Sequence, residues 1–134
     1  MDATEKLAVG MTGTAELVVT REYTVAHFHA EMPEVFGTPF MIYLMEVAAS
    51  KAMAGHLPAG WVSVGYEVNV KHLAATPVGR TVTANARLTG IDGRLVSFAV
   101  EAHDAVAQIG TGTHVRAVVE VARFEKKIRS TEPK

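Results

Sequence analysis

Apolar and polar residues alternate along several segments of the chain, and a period of two is typical of β-strands with one buried face. The four clearest segments are residues 61–72, 80–89, 94–103 and 106–121. A fifth, less regular strand is predicted over residues 15–25. The Asp92-Gly93 dipeptide predicts a tight hairpin turn, while Gly110 and Gly112 allow the last strand to bend. Connections this short hold no crossover helix, so the four later strands are expected to be largely antiparallel.

One helix is predicted over residues 38–55, where the alternation is replaced by a nearly continuous apolar run. Thr38 suits the N-cap, Pro39 the first helical position and Gly55 the C-terminal end. Hardly any polar face remains between them, which is typical of a helix buried on nearly all sides.

A single helix and about five antiparallel strands predict an α+β fold, in which a curved sheet wraps around the helix, as in the hot-dog fold. One helix is too small to cover both faces and edges of the sheet. Edge-to-edge pairing of two sheets in a two-fold homodimer is therefore expected. No repeat or linker divides the chain, so residues 1–134 are interpreted as one domain with an ordered core over about 12–125 and flexible ends.

Charge and composition exclude several classes of function. The formal net charge of −1 offers no basic surface for nucleic acid, and no apolar run is long enough to cross a membrane. Asp2 and Glu5 occupy the region where a secretory signal carries positive charge, so a cytoplasmic location is expected. No glycine-rich phosphate loop, serine elbow or metal-binding pattern is present, and His114 in particular has no metal-like neighbours, so no cofactor is predicted.

Glu46 is the only carboxylate inside the predicted helix. A buried carboxylate is costly unless it takes up a proton, finds a partner or serves a function. Alternatively, Glu46 emerges on one exposed strip near Lys51. The first interpretation makes it a candidate general base.

His72 and Thr38 are candidates to act with Glu46. By alternation, His72 shares a face with residues 62, 64, 66, 68 and 70 and points toward the helix, where it is able to hydrogen-bond to Glu46. Helix capping alone explains Thr38, and a straight helix would separate it from Glu46 by roughly 12 Å. Both residues line one cleft if the substrate lies between them, or if Pro39 keeps Thr38 extended and the helix begins later. Arg116 is by default a solvated strand residue, although a strand rich in Gly and Thr also allows it to lie beside an anionic or polarised ligand.

Several segments together resemble the fluoroacetyl-CoA thioesterase family of hot-dog proteins, over roughly residues 15–129. They are Pro33-Glu34-Val35-Phe36, Phe40-Met41, Leu44-Met45-Glu46, His72-Leu73-Ala74-Ala75-Thr76-Pro77 and Gly110-Thr111-Gly112-Thr113-His114. The resemblance implies that Thr38, Glu46 and His72 are catalytic. It further implies that the acyl group is bound by Gly65, Arg116, Met32 and Phe36. Met32 stands where the fluoroacetyl-specific enzyme has a phenylalanine gate, which implies a broader pocket for short acyl groups.

The function predicted from these residues is hydrolysis of a short-chain acyl-CoA, such as fluoroacetyl-CoA or a related ester. Glu46 would activate water or attack the thioester directly, with Thr38 and His72 orienting the reacting groups. Backbone N–H groups at the start of the helix would stabilise the oxyanion. A non-catalytic acyl-CoA-binding dimer and a hot-dog enoyl-CoA hydratase remain as alternatives.

Overall fold

The fold was obtained as a computed structural model that describes residues 2–131 and 133. The strands are β1 (Thr12–Val18), β2 (Trp61–His72), β3 (Thr81–Asp92), β4 (Leu95–His103) and β5 (Gln108–Glu120). The α-helices are α1 (Val25–Phe28), α2 (Thr38–Met53) and α3 (Val121–Arg129), and a 3-10 turn spans Arg21–Tyr23.

The five strands form one antiparallel sheet in the order β1-β3-β4-β5-β2, which curls around α2. The helix packs mainly against β1 and β3. A Cβ on Gly110 would lie only 2.5 Å from the sulfur of Met41, so this glycine permits close packing of α2 on β5 rather than serving only to bend the strand. The predicted α+β fold with one central helix is confirmed.

Strict alternation in β3 and β4 builds the sheet side of the core. One face of each strand is buried and meets the apolar face of α2. The buried residues of the two strands are Val82, Ala84, Ala86, Leu88, Val96, Phe98, Val100 and Ala102. On these two strands the period-two pattern therefore predicted both the secondary structure and the buried face.

The start of α2 differs from the sequence prediction. Gly37 is the N-cap, and Thr38 is the first helical residue, so Thr38 does not cap the helix and the alternative of a later start is wrong as well. Extended backbone at Gly37 already provides the non-helical entry that a cap requires, which frees the Thr38 hydroxyl for another contact. Gly55, with φ of +80°, follows the C-cap Ala54 and confirms the predicted end.

Burial of the helix on nearly all sides is wrong for the single chain. Tyr43 is 63% exposed, and Ser50 and Lys51 are exposed too. The sheet covers α2 from the β1 and β3 side, and the side nearest β2 remains open.

The predicted first strand is too long, because β1 ends at Val18 and residues 21–28 form short helical turns instead. The core also extends beyond the expected range of about 12–125, since Ala3 and Leu7 are buried in it. The Asp92-Gly93 hairpin is confirmed, with Gly93 at φ of +61°. Within the described part of the chain, no helix is long and apolar enough to cross a membrane.

Candidate active site

Thr38 and His72 meet where the first turn of α2 approaches the last residue of β2. The Thr38 Oγ1 atom lies 2.7 Å from His72 Nδ1. Burial lowers the pKa of the His72 imidazole, which favours the neutral ring with one nitrogen free to accept a hydrogen bond. Among the described residues, the buried Nε2 atom of His72 has no hydrogen-bond partner. The pair thus combines a bound hydroxyl with an unpartnered ring nitrogen.

This pair forms one wall of an open pocket of about 400 Å³. Phe36 is buried at its inner side, and Met32 is 47% exposed at its rim. The remaining lining residues are Val25, Pro33, Val35, Leu73, Ala74 and Ala75. A mostly apolar wall with one polar pair is typical of a site that binds a small apolar group and holds its polar end.

Glu46 lies two helical turns further along α2 and belongs to a different group of side chains. Arg116 Nη1 donates a hydrogen bond to Glu46 Oε2 at 3.2 Å, while the same guanidinium contacts Ser63 Oγ at 2.8 Å and Ser63 O at 2.9 Å. Arg116 is buried, and the Glu46 side chain is 31% exposed. The guanidinium balances the charge of the carboxylate and limits its orientations.

His114 completes this group, although its sequence pattern predicted no role at the site. Its Nδ1 atom lies 2.8 Å from the Glu67 carbonyl oxygen, and its Nε2 atom lies 3.2 Å from Arg116 Nη1. Burial lowers the pKa of His114, so the neutral ring is favoured. The alternation did indicate its position, because residues two apart on a strand share a face. His114 therefore points to the same side of β5 as Arg116.

Gly65 makes room for the carboxylate. A Cβ at this position would lie 2.4 Å from Glu46 Oε2, so any larger residue would displace the acid. Gly65 pairs with Arg116 across β2 and β5, which places the three groups side by side. The structure thus brings together Glu46 and the two positions, Gly65 and Arg116, that the resemblance assigned to acyl binding.

A β-bulge at Tyr66 changes the side-chain alternation of β2. Gly65 pairs with Arg116 and Glu67 with Val115, so Tyr66 is the extra residue without a partner. Because of the bulge, Gly65 and His72 both face α2 although they are seven residues apart. The uninterrupted pattern predicted His72 correctly but pointed Ser63 away from the helix, whereas Ser63 contacts Arg116 on the helix side.

The predicted hydrogen bond between His72 and Glu46 is wrong within one chain. His72 contacts Thr38, and Glu46 contacts Arg116 and, at 3.9 Å, His114. Since α2 continues unbroken from Thr38 to Met53, eight residues separate Thr38 from Glu46 by roughly 12 Å. Glu46 is partly exposed yet paired, beside a shallow depression of about 200 Å³ that Tyr43 also lines.

Metal coordination has no support in the described residues, because no group of three or more His, Cys, Asp or Glu side chains converges there.

Comparison with known proteins identifies the family. The sequence model of the fluoroacetyl-CoA-specific thioesterase family FlK matches residues 19–122. The fluoroacetyl-CoA thioesterase of Streptantibioticus cattleyicolor is 45% identical over 133 residues, which cover 95% of this chain and 96% of that protein.

Two solved structures extend the comparison. A threonine-to-serine variant of FlK in complex with acetyl-CoA has a TM-score of 0.89 and 44% identity, covering 95% of this chain and 100% of that one. A hot-dog-like protein from Thermanaerovibrio acidaminovorans has a TM-score of 0.88 at 26% identity, with both chains fully covered. The chain belongs to the FlK family of fluoroacetyl-CoA-specific thioesterases, and it is an acyl-CoA thioester hydrolase with the hot-dog fold.

Proposed function

We propose that the protein hydrolyses a short-chain acyl-CoA, with the acyl group held in the pocket beside Thr38 and His72. The observation that carries this proposal is the 2.7 Å contact between the threonine hydroxyl and the imidazole at the pocket wall. Met32 and Phe36 line the same pocket and are the residues proposed to contact the acyl chain. Fluoroacetyl-CoA, the substrate named for the relative from Streptantibioticus cattleyicolor, is one candidate within this class.

The active unit is proposed to be a homodimer. Strand β2 pairs with β5 on one side and has no neighbour among the described strands on the other. This 12-residue edge carries the exposed apolar residues Tyr66 and Val68, beside the exposed Tyr43 of α2. A long apolar edge invites pairing, and a second copy of the same edge supplies it.

Dimerisation would also bring the Thr38 and His72 pair close to Glu46. Two β2 strands paired about a two-fold axis run antiparallel, so the Gly65 part of one strand lies toward the His72 part of the other. Glu46 packs against Gly65 and Thr38 contacts His72. The proposed site therefore combines Thr38 and His72 of one subunit with Glu46 of the partner subunit.

In the proposed reaction, Glu46 takes a proton from water, whose oxygen attacks the thioester carbonyl carbon. The tetrahedral intermediate then collapses, the carbon–sulfur bond breaks, and the coenzyme A thiolate takes the proton from Glu46, so the thiol leaves and the carboxylate is restored. Direct attack by Glu46, followed by hydrolysis of the resulting anhydride, remains as the second route. The Thr38 hydroxyl, oriented by His72, holds the water or the carbonyl oxygen.

The start of α2 is proposed to stabilise the oxyanion. Pro39 has no N–H, and the N–H groups of Phe40 and Met41 donate to the Gly37 carbonyl. The Thr38 N–H is thus the donor left at the positive end of the helix, with no protein acceptor among the described residues. Arg116 contributes mainly by holding Glu46, because four of the five guanidinium N–H groups are already engaged.

The enzyme is proposed to act in the cytoplasm, where coenzyme A esters are formed and consumed. Cell fractionation with a tagged chain tests the location. Recovery of the thiol-releasing activity in the soluble fraction is expected, and recovery in washed membranes would contradict it.

A panel of acyl-CoA esters tests the reaction. Free thiol should be released fastest from two- to four-carbon esters, fluoroacetyl-CoA included, and His72→Ala should slow the release while leaving the fold intact. Binding of coenzyme A esters without thiol release would favour the non-catalytic dimer. Hydration of a short enoyl-CoA without thiol release would favour the hydratase.

Hybrid dimers test the composite site. Homodimers of the Glu46→Gln subunit and of the His72→Ala subunit are each expected to have little activity, but a hybrid dimer would contain one site with both residues intact. After unfolding and refolding an equal mixture, half of the dimers should be hybrid, and about a quarter of the wild-type activity should return. If mixing restores no activity, then Glu46 and His72 act within one chain.

A further inference from the structure

His114 is a buried titratable residue with no role in the reaction proposed above. Four elements surround its ring. From β5, Arg116 Nη1 lies 3.2 Å from Nε2, and from α2, Glu46 Oε2 lies 3.9 Å from the same atom. From β2, the Glu67 carbonyl oxygen contacts Nδ1 at 2.8 Å, and from β4 the Phe98 ring lies 6.4 Å away between centroids.

These contacts determine where the proton of the ring resides. A carbonyl oxygen only accepts hydrogen bonds, so His114 Nδ1 must carry the hydrogen that it donates to Glu67. A guanidinium only donates, so His114 Nε2 must be the unprotonated acceptor of Arg116 Nη1–H. Both neighbours thus select the same neutral tautomer. A doubly protonated ring would direct an N–H at the guanidinium.

We propose that His114 is a positioning residue for acyl-CoA hydrolysis: its Nε2 lone pair holds one N–H of Arg116, and Arg116 thereby fixes the Glu46 carboxylate against Gly65. The inference rests on the proposed function, because it gives His114 a role only if Glu46 acts in the reaction.

Arg116 is the link that transmits the effect. Its Nη1 atom has two hydrogens, and the structure uses one for His114 and the other for Glu46. With both hydrogen bonds formed, the two hydrogens of Arg116 Nη1 have one orientation only. Without the acceptor at His114, the Ser63 contacts still anchor the other side of the guanidinium, but the Nη1 hydrogens are free to select other partners.

Glu46 depends on this link because little else restrains it. Its side chain is 31% exposed, and among the described residues it accepts a hydrogen bond from Arg116, while the unprotonated Nε2 atom of His114 lies 3.9 Å away and has no hydrogen to donate to it. The reaction slows when a flexible catalytic carboxylate drifts by about 1 Å, since catalysis requires an aligned reacting group. The expected loss therefore lies in kcat rather than in KM, because the residues that line the pocket beside Thr38 and His72 are unchanged.

A matched pair of substitutions separates the two hydrogen bonds of the ring. In His114→Asn the short amide reaches the Glu67 carbonyl but presents no acceptor to Arg116. In His114→Gln the longer amide places an oxygen near the former position of Nε2. We expect kcat to fall about 30-fold in the asparagine variant, with KM within about twofold of wild type, and the glutamine variant to recover most of that rate.

The control is His103→Asn, a histidine of β4 whose side chain is 45% exposed. Its rate should match wild type. Equal losses in both His114 variants, or a rise in KM with kcat unchanged, would show that the ring acts only as packing and would overturn the inference.

The tautomer provides a readout independent of activity. Long-range nitrogen–proton NMR correlations of the wild-type protein at neutral pH should show His114 protonated at Nδ1 and bare at Nε2. A ring protonated at Nε2 would overturn the proposal even if both variants proved difficult to fold.

Failure of this inference differs from failure of the proposed function. If Glu46→Gln retains full activity, the proposed catalytic role of Glu46 fails, and that of His114 fails with it. If Glu46→Gln is inactive while His114→Asn retains the wild-type kcat, only the positioning role of His114 is lost.

Discussion

The two polar groups along α2 differ in how many of their hydrogen bonds are filled. At the first turn, Thr38 and His72 share one contact, and the second ring nitrogen of His72 has no partner in the described chain. Two turns later, Glu46 is held by Arg116, which is held in turn by Ser63 and His114. A ring nitrogen without a partner is able to receive a ligand, whereas a carboxylate paired with an anchored guanidinium presents its charge in a fixed direction. The comparison suggests that the first group receives the substrate and the second supplies the base.

The Glu46→Gln substitution is the most direct test of this division of roles between the two groups. The amide retains the shape but cannot accept a proton from water, so kcat should fall by about 1,000-fold in steady-state thiol-release assays. The control is Glu101→Gln, on the outer face of β4, which should keep its rate. A loss smaller than tenfold would contradict a base at this position.

Gly65→Ala removes the space rather than the charge. The new Cβ would stand 2.4 Å from Glu46 Oε2 and force the carboxylate to move. We expect kcat to fall about 100-fold, and hydrogen exchange should show that the sheet is retained. Gly90→Ala is the matched control, because a Cβ there meets nothing within 4 Å. Equal rates in the two variants would show that the position of the carboxylate is unimportant.

The Thr38→Val substitution tests the group formed by Thr38 and His72 at the first turn of α2. Valine keeps the volume and loses the hydroxyl that contacts His72, so kcat/KM should fall about 20-fold, the value of one well-placed hydrogen bond. Thr38→Ser retains the hydroxyl and should keep most of the activity. If the valine variant is as active as the serine variant, the threonine has only a structural role.

The pH dependence should reflect the histidines in both groups. Burial lowers the pKa of His72 and of His114, so both rings are neutral above their unfolded value of about 6.5. As pH falls below that value, the unfolded chain takes up protons first, and the free energy of unfolding should decrease. Activity should fall about tenfold per unit below the lowered pKa. Urea titrations between pH 4.5 and 8 will measure the free energy of unfolding, and rate profiles over the same range will measure the activity. Constant stability across this range would contradict the prediction.

Met32→Phe should have the smallest effect. A rigid ring at the exposed rim narrows the pocket, so the ratio of kcat/KM for two-carbon over four-carbon esters should rise about threefold. Val106→Phe, at an exposed turn away from the pocket, is the control. An unchanged ratio would show that residue 32 lies outside the acyl path.

The arrangement of the sheet was largely predictable, because its strands follow simple alternation. Residues 95–103 alternate between a buried and a less buried face, and the sequence predicted the bounds of both 61–72 and 95–103 closely. Helix α2 was equally clear from its apolar run. Local chemistry determines these elements, so the sequence alone is sufficient to locate them.

The pairing of site residues was less predictable, because it depends on one irregularity. Gly65 beside the bulge at Tyr66 is the one indication of it in this strand, and it is weak because valines continue on both sides. The alternation of an uninterrupted strand places Gly65 and His72 on opposite faces. The contact between Glu46 and Arg116 was therefore not expected from the sequence. The default interpretation of Arg116 as a solvated residue is wrong for a different reason: its partners come from two other elements, which the alternation within its own strand does not reveal.

The bulge at Tyr66 restricts how β2 is able to change over evolution. Loss of the unpaired residue would leave Gly65 and His72 six positions apart on a regular strand, which keeps both residues on the face toward α2. Gain of one residue, with the bulge retained, would place them on opposite faces. Lineages descending from this chain should therefore tolerate a one-residue deletion at the bulge while purging one-residue insertions from the middle of this strand.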